Sequence, residues 1–374
     1  MLLKNLRIVP VDAPPIADGW IAFDEKITAL GALDSCPADD GVDCAGLSAF
    51  PGFVDAHSHL GLFGDAQGAE GDDGNEDTNP STPQISALDG LNPFDPGFAQ
   101  AVQAGVTTVC VAPGSANALA GQAVILKTYG QGLTPERILN DCAALKLALG
   151  ENPKRTYGGK GENPATRMGI AALIREKFTA AGEYLEKRSG DDPPDFDAEL
   201  AALARVLREG IPVHIHAHRA DDILTALRLA DAFSLRPVIV HGTQGNLIAD
   251  ALRGVPVLTG PLLADRCKPE LAGATPSNPG ILHKAGVPVA IITDHPETPQ
   301  PYLALTAGLA VREGMDWDAA LRAITLTPAE ILGIADRVGS LTPGKDADIV
   351  LFATDNPLTL ESKPVRVYGL GSRR

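Results

Sequence analysis

Apolar residues along the chain come in short runs that end on a polar residue. Each run leads through a Gly- or Asn-bearing loop into a stretch whose apolar positions recur at helical spacing. From residue 50 onward this unit repeats, and it predicts strands at 53–57, 106–111, 123–127, 143–149, 213–216, 238–241, 256–258 and 289–293. Amphipathic helices are predicted at 98–104, 166–187, 197–209, 221–232, 278–285 and 302–312. The third and seventh strands carry the weakest pattern. Eight strands alternating with helices predict an α/β fold, a (β/α)8 TIM-like barrel over 51–338, in preference to an open doubly wound sheet.

The two ends follow another rhythm. Short alternating segments at 2–9, 20–23 and 27–30, and again at 347–352 and 365–368, are divided by turn residues. They predict a small β-sandwich domain assembled from 1–50 and 339–374. The polar breaker at 189–195 reads as a surface loop between two helices. A longer segment, 61–92, carries Asp65, Glu70, Asp72, Asp73, Glu76 and Asp77. It leaves the first strand at the expected catalytic face, where it would attract a cationic substrate group or simply form a solvated surface.

Composition narrows the class. Hydrophobic residues make up 44% and charged residues 21% of 374, and no apolar run approaches the ~20 residues of a membrane span. The N-terminal residues do not resemble a secretion signal, so the expected compartment is the cytoplasm. Cys36, Cys44, Cys110, Cys142 and Cys267 are an odd, scattered set without CxxC pairing, which argues against disulfides and thiolate zinc sites. A formal net charge of −16 opposes binding to nucleic acid or anionic membranes and favours a small-molecule substrate. A homo-oligomer is compatible with all of this.

The chemistry gathers at strand ends. His57 and His59 alternate at the end of the first strand, so both imidazoles can face one ion. Of eight histidines, seven (His57, His59, His214, His216, His218, His241 and His295) lie at or just past a predicted strand terminus, with His283 the exception inside a helix. Strand ends on one rim of a barrel converge, so a metal site is the leading reading. Asp294, just beyond the last strand, offers a carboxylate that can ligate an ion and take a proton from water. A helix N-cap would explain the aspartate but not the adjacent His295. Arg155, Arg167, Arg219, Arg266 and Lys268 lie near loop or element starts, where they could hold a substrate carboxylate, and Gly121, Gln122 and Tyr302 are weaker candidates for substrate contact.

The runs FPGFVDAHSH at 50–59, VIVHG at 238–242, IITD at 291–294 and GSLTPGKDADIV at 339–350 together resemble the amidohydrolase superfamily, in order and almost end to end. The likeness is strongest to its imidazolonepropionase-like and prolidase-like branch. It implies one or two divalent ions, Zn2+ foremost. His57, His59 and Asp294 would hold the more buried ion and His216 and His241 the more exposed one, with Asp294 also the general base. His218, past the strand end, would polarise a substrate carbonyl. A bridge between two ions would come from Lys146 as a carbamate or from Glu151 directly, with Glu151 preferred because it stands nearer the rim. The resemblance thus predicts hydrolysis of an amide-type C–N bond in a cyclic amide, an N-acyl amino acid or a dipeptide-like molecule. Two rivals stand beside it: a mononuclear deaminase or imidazolonepropionase-like ring hydrolase, and an inactive metal-binding or assembly protein. Deaminases of this kind carry a Glu three residues after the fifth-strand His. Here Arg219 follows His216 at that spacing, although Asp221 follows His218.

Overall fold

The computed structural model describes the chain apart from Asp39, Ala66, Gln131, Leu370, Gly371 and Arg374. Eight strands lie side by side in sequence order in one sheet: β1 (Phe53–Ser58), β2 (Val106–Val111), β3 (Leu119–Lys127), β4 (Ile138–Ala148), β5 (Val213–Ala217), β6 (Pro237–His241), β7 (Val257–Thr259) and β8 (Val289–Ile291). All residues of β1, β2, β5, β7 and β8 are buried. A strand covered on both faces reads as an unbroken apolar run, which is why the sequence pattern located these strands.

The sheet curls into a nearly closed barrel. At one end of the seam the amide of Asp294 donates to the carbonyl of His57 at 3.3 Å. At the other, residues 323 and 324 fill the gap, accepting from Ile291 and Val54 at 2.9 and 2.8 Å. The buried Asp55 carboxylate tightens the same seam, accepting from the amide and hydroxyl of Thr293 and from Gln300 Nε2.

The expected regular alternation fails at β3, which runs antiparallel to both neighbours. The cause is the length of the connections. A parallel neighbour needs a crossover of a dozen or more residues, usually helical. Only residues 112–118 join β2 to β3 and only 128–137 join β3 to β4, and neither stretch holds a helix. Elsewhere helices cover the barrel: Pro96–Gln103, Arg167–Arg188, Ala198–Glu209, Ala220–Ala232, Asn278–Lys284 and Leu303–Arg312 lie within two residues of prediction at either end. Their starts are set by local chemistry: Asp95, Thr166 and Asp197 accept hydrogen bonds from first-turn amides. The helix Glu151–Gly158 was not anticipated. No described helix is long and apolar enough to cross a membrane.

Both ends of the chain meet in a second sheet. Ser48–Pro51 lies at its centre, parallel to Leu2–Ile8 and antiparallel to Ile349–Phe352, with Ile16–Phe23, Ile27–Ala32, Val42–Asp43, Pro364–Gly369 and Ser372–Arg373 completing it. Leu3, Leu6, Ile21, Phe23, Ile349 and Leu351 form its own apolar core. An ionic network fastens this sheet to the barrel floor. Lys127, at the end of β3 and fully buried, reaches Asp348 at 2.6 Å and Asp346 at 3.0 Å. Asp348 also accepts from Thr107 Oγ1 at 3.0 Å and from Tyr129, and Arg337 pairs with Asp346 at 2.9 Å. The two aspartates of the 339–350 motif are therefore the anions of a buried joint, where each needs its partners to offset desolvation.

Candidate metal centre

The histidines converge at the opposite rim. Alternation along β1 places the His57 and His59 rings 5.0 Å apart, and alternation at the end of β5 places His216 and His218 4.7 Å apart. Pairing of Ala217 with His241 brings β6 alongside, so the His241 ring lies 4.5 Å from His216 and stacks on His218 at 4.3 Å. His241 and Asp294 both have left-handed backbone, with φ of 73° and 54°. Such geometry costs non-glycine residues on the order of 1–3 kcal/mol and is retained where it aims a functional side chain. Asp294 Oδ1 lies 3.3 Å from Nε2 of both His57 and His59.

These groups offer lone pairs inward. Nδ1 of His59 donates to the Ala112 carbonyl and Nδ1 of His241 to the Gly260 carbonyl, both at 2.7 Å, which leaves Nε2 of each free. His218 Nδ1 meets Thr243 Oγ1 at 2.7 Å, and a hydroxyl can donate or accept there. Burial, then repulsion from Lys146, holds His57 well below the usual imidazole range. Burial, then neighbouring His241, does the same for His216 and His218. Burial, helped by Lys146 and Lys268 and opposed by Asp294, brings His241 down to about 4. These four rings are neutral at pH 7, as metal ligation requires. Burial opposes ionisation of Asp294, yet His241, His57 and His59 outweigh it and keep the carboxyl well below its ordinary value, an effect that requires a ring N–H turned toward the carboxylate or a cation in its place.

His57, His241 and Asp294 form one group whose donor atoms all lie within 4.8 Å of one another, and His216, His218 and His241 form a second. Several buried polar atoms here have no hydrogen-bond partner: Asp294 Oδ1, His57 Nδ1, His216 Nδ1 and Glu270 Oε1. Nε2 of His57 and of His216 faces these carboxylates, so a divalent cation held there would satisfy Asp294 Oδ1 and Glu270 Oε1, while the two Nδ1 atoms lie on the far side of their rings. The residues fit such an ion.

Of the two bridge candidates, Lys146 stands in the cluster and Glu151 outside it. Lys146 is fully buried on β4, its Nζ 3.1 Å from His57 Nε2, and burial brings its ammonium pKa down to about 8. Glu151 opens the helix Glu151–Gly158, and its side chain lines a separate cavity with Lys154, Arg155, Arg167 and Arg219. Standing near the rim in sequence did not bring it inward, because the chain turns away at Gly150.

A 370 Å³ cavity opens over the cluster, lined by His59, His216, His218 and Asp294 together with Phe63, Asn152, Lys268 and Glu297. Among the predicted substrate contacts, Lys268 belongs to it. Arg219 is half-exposed and forks onto Asp221 at 2.8 and 2.9 Å, which also occupies the carboxylate that a deaminase would turn inward. Arg155 shares the separate cavity, and Arg167 pairs there with Asp222. Arg266 donates to the Ala274 carbonyl beside a smaller pocket next to His241. Tyr302 lies in an outer groove with Leu360. Gln122 holds the Pro83 carbonyl, and Gly121, at φ 130°, lets residue 85 pack closely on β3. The acidic side chains of 61–92 are all exposed and line none of the cavity, to which the loop contributes Phe63 and Asn75.

The sequence reading missed Glu270, the most consequential residue of the rim. It is 1% exposed; its Oε2 accepts the Glu151 amide at 3.0 Å, and its Oε1 faces Lys268 Nζ at 3.2 Å, His218 at 3.7 Å and His216 at 3.8 Å. It lies eleven residues past the end of β7 in the one-turn 3-10 helix Pro269–Leu271, so no strand periodicity pointed to it.

A model of the amidohydrolase family matches residues 48–369. The chain belongs to the amidohydrolase family. As a member it is a hydrolase of carbon–nitrogen bonds, and the His/Asp cluster answers to the divalent metal that amidohydrolases use. It is 30% identical over 359 residues to the amidohydrolase tasK of Hapsidospora irregularis, covering 87% of this chain but only 36% of that protein's length. An imidazolonepropionase of Streptomyces griseus is 26% identical over 392 residues, covering 94% of this chain and 88% of the relative. Among solved structures, an amidohydrolase from Thermotoga maritima superposes with a TM-score of 0.94 at 42% identity, over 99% of this chain and 98% of the other. A prolidase complexed with N-methylphosphonate-L-proline shares the fold at 17% identity, with a TM-score of 0.63 over 99% of this chain and 98% of the prolidase.

Proposed function

We propose that this amidohydrolase cleaves the amide-type bond of a small molecule bearing a carboxylate, an N-acyl amino acid, a dipeptide-like compound or a cyclic amide. The observation that carries this reading is the position of Lys268, a cation on the wall of the same cavity whose floor holds His59, His216 and Asp294. Lys268 would take the substrate carboxylate and so fix the scissile carbonyl over the cluster.

We assign His57, His59 and Asp294 to one ion, with Lys146 as the neighbouring lysine, and His216 and His241 to a second position. Nitrogen and oxygen donors in this set suit Zn2+. When bound, such an ion brings the pKa of water from ~15.7 toward ~7 and polarises a carbonyl. The remaining work falls to side chains. Asp294, kept ionised by the imidazoles around it, accepts the proton of the attacking water and returns it to the leaving nitrogen. With the Thr243 hydroxyl donating to Nδ1, His218 carries its proton on Nε2 and donates it to the carbonyl oxygen as charge develops there. Residues 1–50 and 339–374 form, on this reading, one β domain that buttresses the barrel, supported by their separate apolar core; its strands lie in a single sheet where a two-sheet sandwich was expected.

The test is a hydrolysis screen over N-acyl amino acids, dipeptides and cyclic amides, followed by Asp294→Asn on any substrate found. Turnover should drop ~100- to 10,000-fold while metal content is retained. Undiminished turnover in the metal-loaded variant would overturn the assignment.

A further inference from the structure

Two carboxylates stand at the row of histidines, one at each end, and each has a buried oxygen without a hydrogen-bond partner. Asp294 Oδ1 faces His57 and His59; Glu270 Oε1 faces His216 and His218. The first belongs to the ion position already assigned. The second has no place in that reading; its one close countercharge is the Lys268 ammonium at 3.2 Å, which approaches without hydrogen-bond geometry and leaves the buried oxygen poorly satisfied.

We propose that Glu270 is the anionic ligand of a second divalent-ion position, shared with His216 and His241 at the β5–β6 side of the cavity. The inference rests on the metal-hydrolase reading above and deepens it. Donor atoms around a four-coordinate zinc stand about 3.4 Å apart, and Glu270 Oε1 lies 3.8 Å from His216 Nε2, so the two can share an ion after a shift of a few tenths of an ångström. His216 and His241 already lie within one group of closely spaced donors. The other oxygen of Glu270 is fixed by the Glu151 amide, which aims Oε1 inward and limits the entropy lost on ligation.

Lys268 completes the argument. Its ammonium, 3.2 Å from Glu270 Oε1 and anchored on Asn152 Oδ1 at 3.0 Å, supplies the positive charge that an ion would supply. Ion and ammonium therefore compete for one carboxylate. Filling the second position weakens the hold on Lys268 and frees it toward the cavity, so second-ion binding and recognition of a substrate carboxylate are coupled in the favourable direction.

The experiment strips the purified protein with chelator, titrates it with Zn2+ by calorimetry and counts bound ions by elemental analysis. Co2+ absorption serves as an independent view of the ligand field. Wild type should bind two ions per chain. Glu270→Gln should keep the first and lose the second or weaken it at least ~100-fold, Glu270→Asp should recover part of it, and Lys268→Met should tighten it. Retention of the first ion shows that Glu270→Gln is folded. Two ions with unchanged affinities in Glu270→Gln would overturn the proposal, as would a wild type that binds one ion while leaving the hydrolase reading intact. A wild type that binds no ion would overturn both.

Discussion

Replacing Lys127 by Met tests the joint between barrel and terminal sheet. The substitution keeps most of the apolar stem and deletes an ammonium that is fully buried between Asp346 and Asp348. Removing one partner of a buried pair typically costs 3–5 kcal/mol, because the other charge is left without compensation. Here the loss is tempered on both sides. Asp346 keeps Arg337, and Asp348 keeps the hydroxyls of Thr107 and Tyr129, so the lower end of the range, about 3 kcal/mol, is the expected cost. Equilibrium urea unfolding of variant and wild type, followed by tryptophan fluorescence and far-UV circular dichroism, measures it. Adding Asp348→Asn should restore about half, since a neutral amide needs no countercharge yet can still accept from Thr107. Metal content and turnover of the folded variant should not change, because the joint is at the opposite end of the barrel from the histidines. A single variant within about 0.5 kcal/mol of wild type would refute the argument, and so would a double variant whose losses simply add.

Two further outcomes follow from the site. In metal-free protein His241 has its pKa depressed by burial from 6.5 to about 4, so the unfolded chain takes up the proton first as pH falls. The stability associated with keeping this ring neutral is intact above pH 6.5 and is lost progressively down to about pH 4, by about 3 kcal/mol. Unfolding midpoints measured from pH 7 to 4 should therefore decline, and a flat profile would contradict the neutral cluster. Lys268→Ala should raise KM for a substrate bearing a free carboxylate at least tenfold while changing KM for its methyl ester little; equal effects on both would remove Lys268 from carboxylate recognition.

How much of this was legible in the sequence depended on how local each signal was. The strands were readable because a doubly covered strand is apolar throughout, and the histidines because strand ends at one rim must converge. The reversal of β3 was hidden by Gly121 and Gln122. They interrupt the apolar run, so the strand was expected to start at 123 rather than at Leu119, and the preceding connection looked longer than it is. Glu151 and the arginines were misplaced for a different reason. Position along the chain shows which residues approach the rim, whereas the phase of a following helix decides whether a side chain turns toward the axis or the solvent. Glu270 had no local signal, since only the packing of the single 3-10 turn Pro269–Leu271 against the rim brings it to His216.

The reversed strand also changes where this enzyme can be remodelled. In a regular barrel each rim loop feeds a helix whose packing must be kept when the loop is altered. Between β2 and β3 the rim carries a seven-residue connection without a helix instead, and its Gly114 and Ser115 form part of the cavity wall. The tip of that flank can be altered with no following helix to refit, provided that Ala112, which holds the His59 ring, and Asn117, which holds Tyr157, are kept, which makes it a graft point for shifting substrate size.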